Sequence, residues 1–463
     1  LIPHGLHVIG ETPSASERAE MLSAVAEAGH DLEVSTEQLS ALSEGAHLSE
    51  AIHSAGFKPT EETKQTFERL ADINANLATD HELPALVHAL DTGFIRPVAG
   101  GDLLRSPDTL PTGRNVHGFD PFRLPSAYAI ADGANQAARL LARYQADGNP
   151  LPRTVAMVLW GTDNLKSEGG PIAQALALVG AEPRFDTYGR LSGANLIPLE
   201  KRSRPRIDVV VTLSGIFRDL LPLQTRMLAE AFFKAASADE PEDMNFARAN
   251  ALAYQRETGC DLETAALRVF SHADGAYGAN VNQLIDSGAW DNEDELATAY
   301  TRRKCFAYGR TGDPVAQPEL LGQVLKGVDL AYQHLESVER GVTTIDHYFD
   351  TLGGIGSAIQ SATGKPPPVY IGDQTRGEGK VRLLSEQVAL ETRTRTLNPK
   401  WYEGMLKHGY EGVRQIEAQI TNTMGWSATT GQVQPWVYQQ ITQTFVLDKE
   451  MRDRLATLNP KAS

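Results

Sequence analysis

Residues 155–160 (VAMVLW) are apolar at every position, the pattern of a strand buried on both faces. The run breaks at Gly161 into a polar loop. It resumes at Pro171 with Ile172, Ala173, Leu176 and Leu178 at helical spacing, and Pro171 suits the first turn of a helix. A strand, a glycine-bearing turn and a helix make half of a βαβ unit, and ligands of such sheets bind at the carboxyl ends of the strands. Glu168 and Asp163 fall in this loop, although loop glycines that only turn the chain would give the same pattern. Residues 183–188 and 207–212 read as further strands of the layer, with Val209, Val210 and Val211 central and a polar turn at Ser214-Gly215.

The rest of the chain is mostly helical in period. Residues 6–9 suggest a short strand. Ser14 followed by Glu17 is a capping-box pattern for a helix over 15–28. Segments 31–90, 127–144, 223–258 and 320–336 have helical spacing, and from 381 to the end the pattern is long helices. Residues 368–371 read as a strand entering the glycine-rich turn 372–379. Segment 92–125 is long, irregular and rich in Pro and Gly, which marks a functional loop or a linker. The pattern predicts a multi-domain α/β protein with a Rossmann-like parallel layer and large helical additions. Its expected divisions are a mixed helical segment over 1–125, an α/β layer over 126–300 and a mainly helical region over 301–463, with a short α/β element near 368–380.

Composition narrows the partners. A net charge of −16 over 463 residues argues against nucleic acid and against an anionic membrane surface. Cys260 and Cys305 make neither a disulfide framework nor a zinc spacing, which fits a reducing compartment and a cytoplasmic location. No apolar run reaches the length of a spanning helix, so the chain is not expected to be an integral membrane protein. It starts without Met and reads as a piece of a longer polypeptide.

Several chemistries lack their motifs. The turns at 364–365 and 372–380 miss the spacing of an ATP-binding phosphate loop, G-x-G-x-x-G is absent after Trp160, and G-x-S-x-G and H-E-x-x-H do not occur. What remains are histidines and carboxylates in turns. His4 and His7 stand beside Gly10-Glu11, His117 follows Arg114-Asn115, and His272 and Asp274 flank Gly275. Asp346-His347-Tyr348-Phe349-Asp350 packs two acids and an imidazole into five residues. It is the strongest candidate, with a helix cap at Thr344 or Asp346 as the alternative.

Seven blocks carry a resemblance. WGTDNLKSEGGPIA (160–173), LPTGRNVHGFDP (110–121), VVVTLSGIFRDLLPLQ (209–224), DEPEDMNFAR (239–248), FSHADGAYGANVNQLIDSGAW (270–290), DHYFD (346–350) and LNPKWYEGMLKHGYEGVRQIEAQITNTMGWSA (397–428) resemble the large-subunit family of magnesium chelatase. The similarity runs along essentially the whole chain and corresponds to the C-terminal portion of the bacteriochlorophyll-pathway form. It implies binding of protoporphyrin IX and insertion of Mg²⁺ at the first committed step of (bacterio)chlorophyll synthesis. It also implies ATP hydrolysis by two AAA+ partner subunits, I and D, rather than by this chain, and hand-over to a Mg-protoporphyrin methyltransferase. The location implied is cytoplasmic, at most peripheral to photosynthetic membranes. The cobalt-inserting large subunit of cobalamin synthesis and a non-catalytic porphyrin carrier or sensor are the alternatives.

Insertion removes two pyrrole protons, and Mg²⁺ takes oxygen ligands and gives up water reluctantly. The reading therefore assigns Asp346, Asp350 and Glu11 to the metal. Asp346, His347, Asp350, Glu168 and His7 are assigned to catalysis. Arg114, His117, Arg218, His272, Tyr277 and Arg376 are assigned to the substrate, the arginines for the propionates. Trp160, Phe217 and Tyr348 are further candidates for apolar walls, and residues 397–428 read as a packing or docking face.

Overall fold

The computed structural model describes residues 5–30, 33–98, 103–104, 106–116, 120–376 and 379–462. Two compact units divide the chain. The first is Leu1–Phe119 with Ser337–Glu339 and Thr375–Gly377; the second is Asp120–Glu336, Arg340–Gln374 and Glu378–Ser463.

The first unit is helical, with principal helices α1 (Ala15–His30), α2 (Glu61–Leu77) and α3 (Glu82–Leu90). The expected capping box opens α1: the Ser14 N–H donates to Glu17 Oε2 at 2.8 Å, and the Glu17 N–H donates back to Ser14 Oγ at 3.4 Å. Leu22 and Val25 of α1 pack against Phe67, Leu70 and Ile73 of α2, all buried. The strand expected at 6–9 does not form. Val8 and Ile9 are exposed, and a strand needs a neighbouring edge to satisfy its backbone groups. Most of 92–125 is irregular, as its Pro and Gly content requires. Pro97–Val98 pairs there in parallel with Asn115–Val116.

The second unit follows the α/β plan. Helix α4 (Ala127–Ala146) leads to strand β1 (Thr154–Leu159), buried at all six positions. After β1 come short α5 (Gly161–Lys166) and α6 (Gly170–Val179), so the polar loop expected after Gly161 is a helical turn. Next are β2 (Asp208–Leu213), α7 (Gly215–Leu220), α8 (Pro222–Ser237), α9 (Phe246–Thr258) and β3 (Val269–Ser271). Helices α10 (Val281–Ser287) and α11 (Glu293–Lys304) precede β4 (Phe306–Tyr308) and β5 (Pro314–Ala316). Helix α12 (Pro318–Lys326) is followed by β6 (Leu330–Leu335), α13 (Gly354–Thr363), β7 (Val369–Asp373) and β8 (Lys380–Leu383). The remainder is helical, with α14 (Gly409–Thr430) longest.

The eight strands form one sheet in the order β8-β7-β6-β1-β2-β3-β4-β5. Its five central strands, from β7 to β3, are parallel, and both edges turn antiparallel. Strands from both sides of residue 300 join this sheet. Two sequence expectations change. Residues 320–336 are not one helix, because the chain breaks after α12 and enters central strand β6. Residues 183–188 do not extend the layer: Ala181–Phe185 pairs with Leu191–Leu196 as a separate antiparallel hairpin. The order of connection reverses between β1 and β6, and at such a point the carboxyl ends of neighbouring strands leave a crevice suited to a ligand.

Candidate functional site at the carboxyl edge of the sheet

The crevice rule points to the residues that follow β1 and β6. Trp160 follows β1, and its indole Nε1 donates to Gln333 Oε1 on β6 at 3.1 Å. The Trp160 ring lies 5.1 Å from that of Tyr348. On the other face of β6, His334 Nδ1 lies 3.0 Å from Glu336 Oε1, and its Nε2 meets Gln174 of α6. Both members of this His–Glu pair are fully buried. Neither was singled out from the sequence, where residues 320–336 have a helical spacing that conceals a strand.

Further along the edge, β2 is followed by Ser214, whose side chain caps α7 by accepting the Phe217 N–H at 3.1 Å. Gly215 lets the loop after β3 come close: a Cβ there would stand 2.2 Å from Cδ1 of Tyr277. Arg218, buried on α7, donates to the carbonyls of Ala273 and Ala276 at 2.8 and 3.0 Å and to Asp219 at 2.8 Å. Its guanidinium lies 5.3 Å from the Tyr277 ring centre, and its Nη2 has no partner among the described residues. The Arg218 guanidinium holds the Asp219 carboxyl below the usual carboxylate range, against the opposing effect of burial, and the Tyr277 hydroxyl adds a donor.

His272 follows β3 directly and is 2% exposed. Its backbone carbonyl accepts the Tyr308 hydroxyl at 2.8 Å, and its Nε2 has no partner among the described residues. Burial, then the positive charges of Lys304, Arg218 and Arg303, push its pKa down to about 2, so the ring is neutral at physiological pH. Lys304, the last residue of α11, is also buried and donates to the Leu213 carbonyl at 3.2 Å. Burial lowers its pKa to about 7; Asp350 opposes the shift, and Arg218 and Arg303 add to it. Sequence reading missed Lys304 because it closes a helix of ordinary surface composition.

The DHYFD cluster splits into two kinds of residue. Asp350 is fully buried, and both its oxygens are engaged by backbone N–H groups: Ala279 on Oδ2 at 2.6 Å, with Val281 and Asn282 on Oδ1 at 2.8 and 3.1 Å. It holds the loop that carries Tyr277 and opens α10. Three backbone donors on its two oxygens make it an anchor of this loop, the residue also expected at the metal and in catalysis. Asp346 and His347 are half or more exposed. Asp346 Oδ2 accepts Asn282 Nδ2 at 2.7 Å, and Oδ1 accepts the His347 N–H at 2.9 Å.

The structure thus brings Arg218, His272, Tyr277, Asp346 and Asp350 around one loop, 273–282, with His347 beside Asp346. Glu168 lies in the second unit, exposed and in left-handed backbone at φ 52°, with its carbonyl accepting the Ser126 N–H. His7, Glu11, Arg114 and Arg376 belong to the first unit. There His7 Nε2 lies 2.8 Å from Glu82, Arg376 pairs with Glu27 at 3.7 Å, and Arg114 is exposed. His117 lies outside the described residues. Of the apolar candidates, Phe217 is core, while Ile216 and Leu220 of α7 and Tyr277 are exposed. No group of three or more His, Cys, Asp or Glu suited to a metal ion occurs among the described residues. No described helix is long and apolar enough to cross a membrane.

Comparison with known proteins was made on this framework. The family model described as CobN/Magnesium Chelatase matches residues 1–463. The magnesium-chelatase H-subunit of Rhodobacter capsulatus is 60% identical over 97% of this chain and 39% of its own length. The aerobic cobaltochelatase CobN of a Sinorhizobium species is 34% identical over 82% of this chain and 31% of its own. The solved catalytic subunit of cobaltochelatase from Mycobacterium tuberculosis superposes with a TM-score of 0.90 at 31% identity, covering all of this chain and 42% of that one. The chain therefore spans about two fifths of the length of the Rhodobacter protein it matches at 60% identity.

Proposed function

The chain belongs to the CobN/magnesium chelatase family, and from that premise we propose that it forms the tetrapyrrole-handling portion of a magnesium chelatase large subunit. The reaction inserts Mg²⁺ into protoporphyrin IX. ATP is hydrolysed by AAA+ partner subunits, I and D, and the product passes to a methyltransferase. On this reading the protein works in the cytoplasm, beside the membranes that use its product. The 60% identity to a magnesium-named relative, against 34% to a cobalt-named one, favours magnesium.

One observation carries the assignment to the carboxyl edge: His272, a neutral and buried imidazole whose Nε2 has no partner among the described residues. Leaving a buried polar atom unpaired costs about 1–3 kcal/mol, and a ligand that pairs with it recovers that cost. In the tautomer with the proton on Nδ1, 3.5 Å from Ser271 Oγ, Nε2 is an acceptor and a pyrrole N–H is a matching donor. Arg218, near His272, and Tyr277, against Arg218, belong to the same reading, with Ile216 and Leu220 on the helix of Arg218. Arg218 Nη2 is a donor for a propionate, and Tyr277, Ile216 and Leu220 give apolar surface for the macrocycle.

Asp346 and His347 supply the remaining step. Half-exposed Asp346, oriented by the Asn282 amide on Oδ2 and the His347 N–H on Oδ1, replaces water on a hydrated Mg²⁺ through a remaining lone pair, and the exposed His347 ring takes a released proton to solvent. Asp350 acts by positioning the loop that joins these groups. The test is protoporphyrin fluorescence quenching by the full-length polypeptide carrying H272Q, and separately I216D. Each is expected to weaken binding by about tenfold, one lost hydrogen bond or apolar contact. Unchanged affinity in both variants would remove the assignment.

A further inference from the structure

Helix α3 of the first unit has an unusual surface. Seven of its nine residues are apolar (ELPALVHAL), yet the helix has no buried residue. Leu83, Leu86, Val87 and Leu90 stand at positions i, i+3, i+4 and i+7, one continuous stripe, and are 45%, 47%, 64% and 77% exposed. Phe94, four residues after Leu90, is 81% exposed. Ile9, 60% exposed, belongs to a segment held alongside: His7 pairs with Glu82, and a Cβ on Gly10 would stand 2.4 Å from Leu83 Cδ1. In the same unit α2 shows the ordinary arrangement, burying Phe67, Leu70, Ile73 and Leu77 and exposing its charges.

Single exposed apolar residues need no explanation, but a contiguous stripe of this size marks an interface. The i, i+3, i+4, i+7 spacing is the one helices use to dock into an apolar groove. The relatives carry the complementary chain: the matched region is a C-terminal portion covering 39% of the Rhodobacter protein, so most of that polypeptide precedes it. The stripe lies in the N-terminal unit, next in sequence to that additional chain.

We propose that the face of α3 formed by Leu83, Leu86, Val87 and Leu90, with Phe94 just after the helix, is the docking surface for the N-terminal portion of the full-length polypeptide. The bound surface is an apolar groove of that portion. The docking is intramolecular in the complete polypeptide, so it needs no partner protein and no nucleotide.

Hydrogen exchange read by mass spectrometry tests this on the full-length polypeptide and on the 463-residue chain. Peptides covering 82–94 are expected to exchange at least about tenfold more slowly in the full-length protein. The double variant L86D/L90D in the full-length protein is expected to abolish that difference. In the 463-residue chain the same double variant leaves thermal unfolding unchanged, because there the face is already in water, and this separates loss of docking from loss of fold. Equal exchange in the two proteins would overturn the proposal. So would protection that appears only as the chain dimerises, read by light scattering, or only after the ATPase subunits are added.

Discussion

The Asp350 carboxylate accepts the backbone N–H of Val281 at 2.8 Å, and with Ala279 and Asn282 it fixes the loop on which the proposed site is built. An asparagine at 350 presents an N–H₂ to at least one of these donors. D350N is therefore expected to cost about 3 kcal/mol of stability, read by urea denaturation. D346N, at a half-exposed side chain, is expected to change stability by less than about 0.5 kcal/mol. Equal effects at the two positions would contradict their division into an anchor and a site residue.

His272 gives a pH dependence of definite sign. Its folded pKa, about 2, lies below its unfolded value of 6.5, so between these the unfolded state binds the extra proton. The folded state is favoured above pH 6.5 and loses ground as the pH falls below it. Between pH 7.5 and 5.5 this group alone is expected to account for about 1.4 kcal/mol of lost stability. H272Q should lose that much less than the wild type over the same interval; parallel curves would show that the ring is not held neutral.

Much of the second unit was legible in the sequence. Val155–Leu159 and Val209–Val211 are apolar runs inside strands buried at every position, and a strand covered on both faces uses such a run. Ser14 and Glu17 signal their capping box locally. Strand β6 was not legible, because Gln333 and His334 give it polar positions. Gln333 Oε1 and His334 Nε2 meet Trp160 and Gln174, more than 150 residues away, and no local pattern reports such partners. The site divided in the same way. Arg218, His272, Tyr277 and the DHYFD acids could be named from residue type and loop context. That Asp350 would face backbone N–H groups, and that Lys304 would lie buried beside His272, depends on contacts across the fold.

Gly169 tests the turn between β1 and α6. It has φ 94°, and a Cβ there would stand 2.8 Å from Cα of Pro125. G169A meets both an unfavourable backbone region and a rigid neighbour, and is expected to cost about 2 kcal/mol. A stability within 0.5 kcal/mol of wild type, judged by roughly the scatter of surface substitutions, would show that the turn relaxes freely.

Arg206 tests what pins the hairpin to the layer. Its buried guanidinium makes a two-pronged pair with Glu240 at 2.7 Å and donates to the carbonyls of Gly180 and Ile197, also at 2.7 Å. Lysine reproduces the charge but not the fork. R206K is expected to lose about 3 kcal/mol, with faster hydrogen exchange over 181–197. Wild-type exchange there would show that the hairpin is held by packing alone.

The central claim is that the loop anchored by Asp350 brings a metal-handling carboxylate, Asp346, to a porphyrin held at the sheet edge. The most direct measurement is Mg²⁺ insertion into protoporphyrin IX by the full-length D346N protein, with its ATPase partners and ATP, alongside a quenching titration of porphyrin affinity. The account predicts insertion reduced by about a hundredfold, with affinity within twofold of wild type. Wild-type insertion by D346N would contradict it.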